Sequence, residues 1–233
     1  MTSYKTEPPV LLAVDCIIFG FDGEGLKILL IKRGFEPERH KWSLMGGFVQ
    51  PTESPEDSAA RILKKLTGLT DVYMEQIAVF GKPDRDTEQR VVSVVYFALI
   101  DINKYEHVIS HDYRAEWFPL KEVPQLIFDH NEMVEVAKKK LKYKAALYPI
   151  VFELLPEKFT IPQIALLYES VYDIDLDRRN FSRKLLSSGL IIKLKEKDTE
   201  NSKKGAFYFK INTEVYKEKI MSFLRFLPGW PID

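Results

Sequence analysis

Cysteine is nearly absent: Cys16 is the only one in 233 residues. No intramolecular disulfide can form, and no cysteine-based zinc site can be built. Cys16 sits in the apolar run LLAVDCIIFGF, where a buried core thiol is expected rather than a nucleophile. No uninterrupted apolar run approaches the roughly 20 residues that span a bilayer. The opening MTSYKTEPPV has no apolar signal segment, so no membrane contact is expected and the expected compartment is the cytosol (cytoplasmic). Net charge is missing too, with 34 Lys+Arg against 34 Asp+Glu, so overall charge names no partner. There is no repeat and no low-complexity linker. What remains is 45% hydrophobic and 29% charged, an ordinary globular composition able to bury a sizeable core. The length fits one large domain or two small ones. Charge is uneven, however. From Tyr143 onward 15 Lys+Arg face 12 Asp+Glu, a mild basic excess of the kind a nucleic-acid-facing end carries.

Patterning predicts an α+β chain. LLAVDCIIFGF and LKILLIKRG read as a strand pair around the turn DGEG. SLMGGFV reads as another short strand, and DVYMEQIAVFG and RVVSVVYFALID as two more, rich in β-branched and aromatic residues. EWFPLKEVP reads as irregular. Ser54 or Thr52 can cap a helix over SPEDSAARILKKLTGL. Pro55 suits its first turn, Glu56 and Asp57 its positive end, and Gly68 its stop. HNEMVEVAKKKLKYKAAL reads as a long helix, acidic early and basic late. These elements predict a mixed sheet with helices packed on it over residues 1–146.

The pattern changes after Leu147. YPIVFELLP reads as a short apolar helix, and FTIPQIALLYESVY as a helix starting near Pro162. DLDRRNFSRKLLSSGL reads as a third, capped by Asp175 or Asp177 and stopped at Gly189. LIIKLKEKD and AFYFKINTE are strands around the polar turn TENSKKG. Three helices and a hairpin over residues 147–233 predict a winged helix-turn-helix. Its third helix carries Arg178, Arg179, Asn180, Ser182, Arg183 and Lys184. Arg pairs with guanine and Asn with adenine in the major groove, while Lys and Ser hold phosphates. Lys203 and Lys204 stand at the hairpin tip, within reach of backbone or minor groove. A solvated charged face is the plain alternative, and Arg183 can pair with Asp177 instead. Phe181, Leu185 and Leu186 are expected as core anchors.

Gly47, five residues, Glu53, seven residues, Arg61, then Gly68-Leu69, resembles the Nudix box, GX5EX7REUXEEXGU with U aliphatic. The resemblance covers roughly the first 145 residues and implies a Nudix-like α/β/α sandwich. The departures bear on chemistry. The box's tract after the arginine supplies carboxylates to divalent metal, and here those positions are Ile62, Lys65 and Leu66. Residues at i, i+3 and i+4 share a helix face, and magnesium requires hard oxygen donors there. No metal site, no cofactor and no catalytic residue is therefore expected. Glu53 alone is not a two-metal clamp, although Glu75 or Asp84 remain possible substitutes. Without metal, Ile62, Leu63, Leu66 and Leu69 read as core residues, and Lys64 and Lys65 as solvated.

A Nudix-like domain followed by a winged helix resembles the Nudix-related transcriptional regulators. SLMGGFV, DRDTEQRVVSVVYFAL and LIFDHNEM fit that group. The resemblance implies a homodimer that binds operator double-stranded DNA and senses a small-molecule effector. One branch senses ADP-ribose, and another resembles an arabinose-responsive regulator of sugar use. VDCIIFGF, SLMGGFVQ and DVYMEQIAVFG look closer to the sugar branch, so a pentose such as L-arabinose is the expected effector and repression the expected outcome. ADP-ribose sensing and residual pyrophosphohydrolase activity are the alternatives. A further rival is a protein-interaction module whose basic helix contacts an acidic partner. The degenerate cleft is the default pocket, with Arg33, Trp42, Glu53, Asp84, Arg85, Asp129 and His130 as effector-binding candidates by motif position. Each has a plain alternative: Trp42 as core, Asp84 in a turn, Asp129 as a helix cap with His130 in its first turn.

Overall fold

The computed structural model describes residues 7–68, 70, 72–105, 115–199 and 205–222. Among them, no helix is long and apolar enough to cross a membrane. The chain divides into two compact units. The first comprises Met1–Gly20, Lys27–Leu99 and Tyr105–Lys138, and the second Phe21–Leu26, Ile100–Lys104 and Lys139–Asp233. This division falls eight residues before the boundary expected from sequence and assigns two short stretches, 21–26 and 100–104, to the later unit.

The first unit is organised by β1 (Leu11–Phe21), β2 (Leu26–Lys32), β3 (Trp42–Ser43), β4 (Met45–Phe48), β5 (Tyr73–Phe80), β6 (Val91–Asp101) and β7 (Glu116–Pro119). Its sheet runs β3-β2-β1-β6-β5, with β4 also paired to β1 and β7 to β2. β1 is buried without alternation from Ala13 to Phe21, and β6 is nearly so. Successive strand residues point to opposite faces, so both faces of these central strands are covered.

Two details differ from the sequence reading. EWFPLKEVP contains a strand, β7, aligned antiparallel with β2 from Leu30↔Glu116 to Lys27↔Pro119. Pro119 ends it, as proline does at a strand margin, and that residue masked the strand in the sequence. SLMGGFV is two strands rather than one. β3 pairs with β2 and β4 with β1. The break falls at Leu44, whose N–H leaves the ladder and donates to His130 Nδ1 at 3.2 Å.

Helix α1 (Pro55–Thr67) forms where its local signals place it. Ser54 Oγ accepts from Asp57 N–H, Asp57 accepts from Ser54 N–H, and Gly68 closes the helix at φ 74°. This reciprocal cap satisfies two otherwise orphaned donors. Ala59, Ile62 and Leu63 are buried, as the amphipathic pattern requires. A four-residue helix α2 (Ile102–Tyr105), absent from the sequence reading, follows β6. Helix α3 (His130–Leu147) has the expected bounds.

In the second unit YPIVFELLP is a 3-10 turn, Ile150–Leu154, rather than an α-helix. Prolines at 149 and 156 leave no room for a longer one. Then come β8 (Phe159–Thr160), α4 (Ile161–Tyr172), α5 (Arg178–Ser187), β9 (Ile191–Asp198), β10 (Ala206–Ile211) and α6 (Thr213–Ser222). The small sheet runs β8-β10-β9, with both pairings antiparallel. β8 and α6 are additions to the expected order. Thr160 caps α4 through Gln163, and Asp177, not Asp175, caps α5 by accepting from Asn180 N–H at 3.0 Å. Phe152 packs edge-on against Phe159 and Tyr216, and Tyr168 tilts onto Phe181 at 5.4 Å. Leu185 is buried, but Leu186 is 50% exposed, which removes it from the expected core anchors. Helical geometry explains this, since a residue adjacent to a core position is rotated about 100° away from it.

Candidate functional site

A cleft of about 370 Å³ opens in the first unit where β1, β4, α1 and the start of α3 converge. Arg33, Phe35, Ile62, Lys65, Arg85 and His130 are among its walls. At the mouth, the Arg33 guanidinium lies 4.0 Å over the Phe35 ring and 5.6 Å from Phe128. Phe35 is 62% exposed. Phe128 holds φ at 48°, a conformation unusual for a bulky side chain and frequent at ligand clamps. Hydrogen bonds on either side, Ile127 N–H to Trp42 O and His130 N–H to Ile127 O, fix that backbone.

The floor is a buried polar network. Arg85 donates from Nε and Nη2 to both oxygens of Asp129, at 2.9 and 2.8 Å. Its Nη2 also lies 3.7 Å from Asp15 Oδ2, which accepts from Ser93 Oγ at 2.6 Å. His130 Nε2 stands 3.7 Å from Asp15 Oδ1. Because Leu44 N–H donates to Nδ1, the neutral ring carries its proton on Nε2, facing Asp15. Burial pulls the His130 pKa down, against the opposing pull of Asp15 and Asp129, which favours the neutral imidazole. Gly46 admits this network. A Cβ there would overlap the Asp15 carboxylate and lie 2.8 Å from Val14 O.

Glu53 is committed elsewhere. Arg61 donates from Nε and Nη2 to its two oxygens at 2.8 and 2.5 Å, and also to Ser58 Oγ and Phe48 O. The Arg61 hydrogen bond holds the Glu53 pKa down at about 2. This clamp fastens the 48–53 loop to α1. The retained glutamate and arginine of the box therefore act as a structural clasp.

The box positions that would carry metal ligands bear other side chains. Ile62 and Lys65 both line the cleft, and Ile62 Cδ1 packs toward Gly47. An aliphatic chain and an ammonium supply no oxygen donor, so this donor set does not fit a divalent metal. Among the described residues, no group of three or more His, Cys, Asp or Glu side chains is arranged to hold one.

Of the seven candidates, Arg33, Arg85 and His130 line the cleft, and Asp129 lies behind Arg85. Trp42, Glu53 and Asp84 are not on its lining. Trp42 instead packs edge-on against Phe118 at 4.8 Å, beneath the Lys32 ammonium. Asp15, Ser93, Phe35 and Phe128 were not among the sequence candidates. One signal could have found Asp15, a lone acid inside an otherwise apolar central strand.

On α5, several expected DNA-contacting groups are tied to neighbours. Arg178 forks onto Glu169 at 2.7 and 3.2 Å, Ser182 Oγ donates back to Arg178 O, and Arg183 donates to Asn180 Oδ1 at 2.8 Å. Arg183 thus pairs with Asn180, not with Asp177. Arg179 and Lys184 have no side-chain partner among the described residues and are exposed. Lys203 and Lys204 lie outside the described residues.

These features define a class: a Nudix-type domain followed by a winged helix. The NUDIX domain model matches residues 9–139, and the model of the NrtR DNA-binding winged helix domain matches residues 151–211. The chain belongs to the NrtR family. It is 33% identical over 200 residues to the ADPR responsive transcriptional repressor NtrR of Acinetobacter baylyi, covering 84% of this chain and 78% of that protein. Shewanella oneidensis NrtR complexed with a 27mer DNA superposes with a TM-score of 0.77 at 28% identity, over 88% of this chain and 95% of that one. The NUDIX domain of the same protein complexed with ADP ribose gives 0.52 at 31% identity, over 60% and 94%. An ADP-ribose pyrophosphatase of Methanocaldococcus jannaschii is 36% identical over 125 residues, 53% of this chain and 70% of that protein. These relatives are named for ADP-ribose or for DNA and none for arabinose or another free pentose, so the expected arabinose branch is not supported. The phrases behind that expectation lie largely on β1, β3, β4 and β5; they supply strand packing and part of the cleft lining, Asp15, Ser43, Gly46 and Gly47 among it, but none of the cleft's cations.

Proposed function

We propose that this protein is an ADP-ribose-responsive transcriptional repressor whose Nudix-type cleft binds the effector without hydrolysing it. The observation that carries the reading is the cleft itself: ligand-sized, walled by cations, and bearing Ile62 and Lys65 where metal carboxylates belong. Its volume lies in the range of small-molecule sites. Lys65 suits a diphosphate, and the Arg33–Phe35 stack suits a planar base. An uncharged pentose has no use for an unpartnered ammonium. The ADP-ribose named in two relatives points the same way.

The winged helix supplies the DNA half. Two copies of α5 in a homodimer would address two half-sites of a palindrome, and effector binding would lower DNA affinity by a coupling of about 1–3 kcal/mol. Hydrolysis is the rival reading, favoured by the pyrophosphatase relative. Magnesium-dependent turnover of ADP-ribose would establish it.

Fluorescence anisotropy of DNA from upstream of its own operon tests the interface. Arg179→Ala is expected to weaken binding by about 1–3 kcal/mol and relax specificity at one base pair. Arg178→Ala, already tied to Glu169, should matter less. Unchanged affinity and specificity in Arg179→Ala would exclude α5 as the reading helix.

A further inference from the structure

We infer that Lys65 takes the place of the divalent cation, so that the cleft binds a diphosphate directly and independently of metal. The inference rests on the effector reading above only in taking the ligand to be a diphosphate ester. Its own ground is the chemistry of one helix face. Ile62 and Lys65 are three residues apart on α1, share that face, and both line the cleft. A box that turns carboxylates toward a metal here turns one cation toward the same space. The ligand's negative charge, which a metal would otherwise bridge to the protein, then meets an ammonium with no intermediary.

The other cleft cations are engaged. Arg61 is clasped by Glu53, Arg85 by Asp129, Lys32 lies over Trp42, and Arg33 over Phe35. Lys65 has no ion-pair or hydrogen-bond partner among the described residues and is exposed. The acids facing the cleft do not hold it either. Asp15 is bonded to Ser93, and Asp86 accepts the backbone N–H groups of Glu88 and Gln89. An unpartnered ammonium on a ligand-sized cleft is available to an incoming anion without first breaking a pair. Reading of the ligand by this residue also accounts for an effector held intact, because a lysine neutralises phosphate charge but brings no metal-activated water.

The test is isothermal titration of the full chain with ADP-ribose, ADP and inorganic pyrophosphate, each in EDTA and in magnesium. Wild-type affinity in EDTA is expected to be at least as high as in magnesium, which competes in solution for ADP and pyrophosphate. Lys65→Gln and Lys65→Glu should raise Kd by about tenfold or more, and Lys65→Arg should largely restore binding. Lys65 is exposed, so the urea midpoints of these variants should match wild type and serve as the folding control. Binding that vanishes in EDTA, or a Lys65→Gln protein that binds as wild type does, overturns the inference. If ADP-ribose is ignored while ADP or pyrophosphate binds with the same dependence on Lys65, the effector reading falls and this inference stands. If no diphosphate binds, the inference falls.

Discussion

Replacing Arg85 with alanine lowers the stability of the first unit by about 3–5 kcal/mol, the range for removing one partner of a buried ion pair. The Arg85 side chain is 5% exposed, and its fork spans both oxygens of Asp129 with Asp15 at 3.7 Å. Without the guanidinium, two carboxylates are left buried near one another with no cation between them. The cost is mainly theirs, because an unpaired charge cannot be solvated there. Arg85→Lys keeps the charge but loses the fork, and should fall between wild type and alanine. Coupled removal of Asp129, as Arg85→Met with Asp129→Leu, should recover part of the loss. Urea unfolding followed by tryptophan fluorescence reads all three. An Arg85→Ala midpoint within about 1 kcal/mol of wild type would mean that the network is hydrated and that its burial has been misread.

Gly46→Ala destabilises by about 1–3 kcal/mol or more, the cost of forcing an added methyl into filled space. The methyl would meet Val14 O at 2.8 Å and overlap the Asp15 carboxylate. Val14 O is backbone of the central strand, and Gly46 is paired with Asp15 across β1 and β4, so neither strand can retreat without losing its register. Gly47→Ala makes an informative contrast. Its methyl would lie 3.1 Å from Ile62 Cδ1, the end of a side chain that can rotate, so the loss should be smaller. Thermal unfolding of the pair checks the order. A Gly47→Ala protein less stable than Gly46→Ala would contradict the placement of Asp15.

Local chemistry made much of this legible in sequence. Ser54, Pro55, Asp57 and Gly68 announce α1 within its own fifteen-residue neighbourhood, and the apolar runs of β1 and β6 announce central strands. α5 was readable because Asp177 and the buried Leu185 stand at helical spacing. The cleft floor was not readable, since its bonds join residues far apart in the chain. Asp15 and Ser93 are separated by 78 positions, Arg85 and Asp129 by 44, and Leu44 and His130 by 86. Glu53 illustrates the reverse error. Its box position advertises a ligand contact, yet Arg61 uses both of its oxygens. Effector choice was also illegible, because the phrases used to judge it hold none of the cleft's cations, which are scattered from Lys32 to Arg85.

Coupling between effector and DNA is read directly by one titration. Operator DNA bound to the full chain is followed by fluorescence anisotropy while ADP-ribose, L-arabinose or xylose is added at fixed salt, because DNA affinity varies steeply with ionic strength. ADP-ribose is expected to release the DNA, with affinity falling about 5–150-fold, while neither pentose has an effect and ADP-ribose is recovered intact. Release by a pentose alone, or DNA binding indifferent to ADP-ribose, would contradict that coupling.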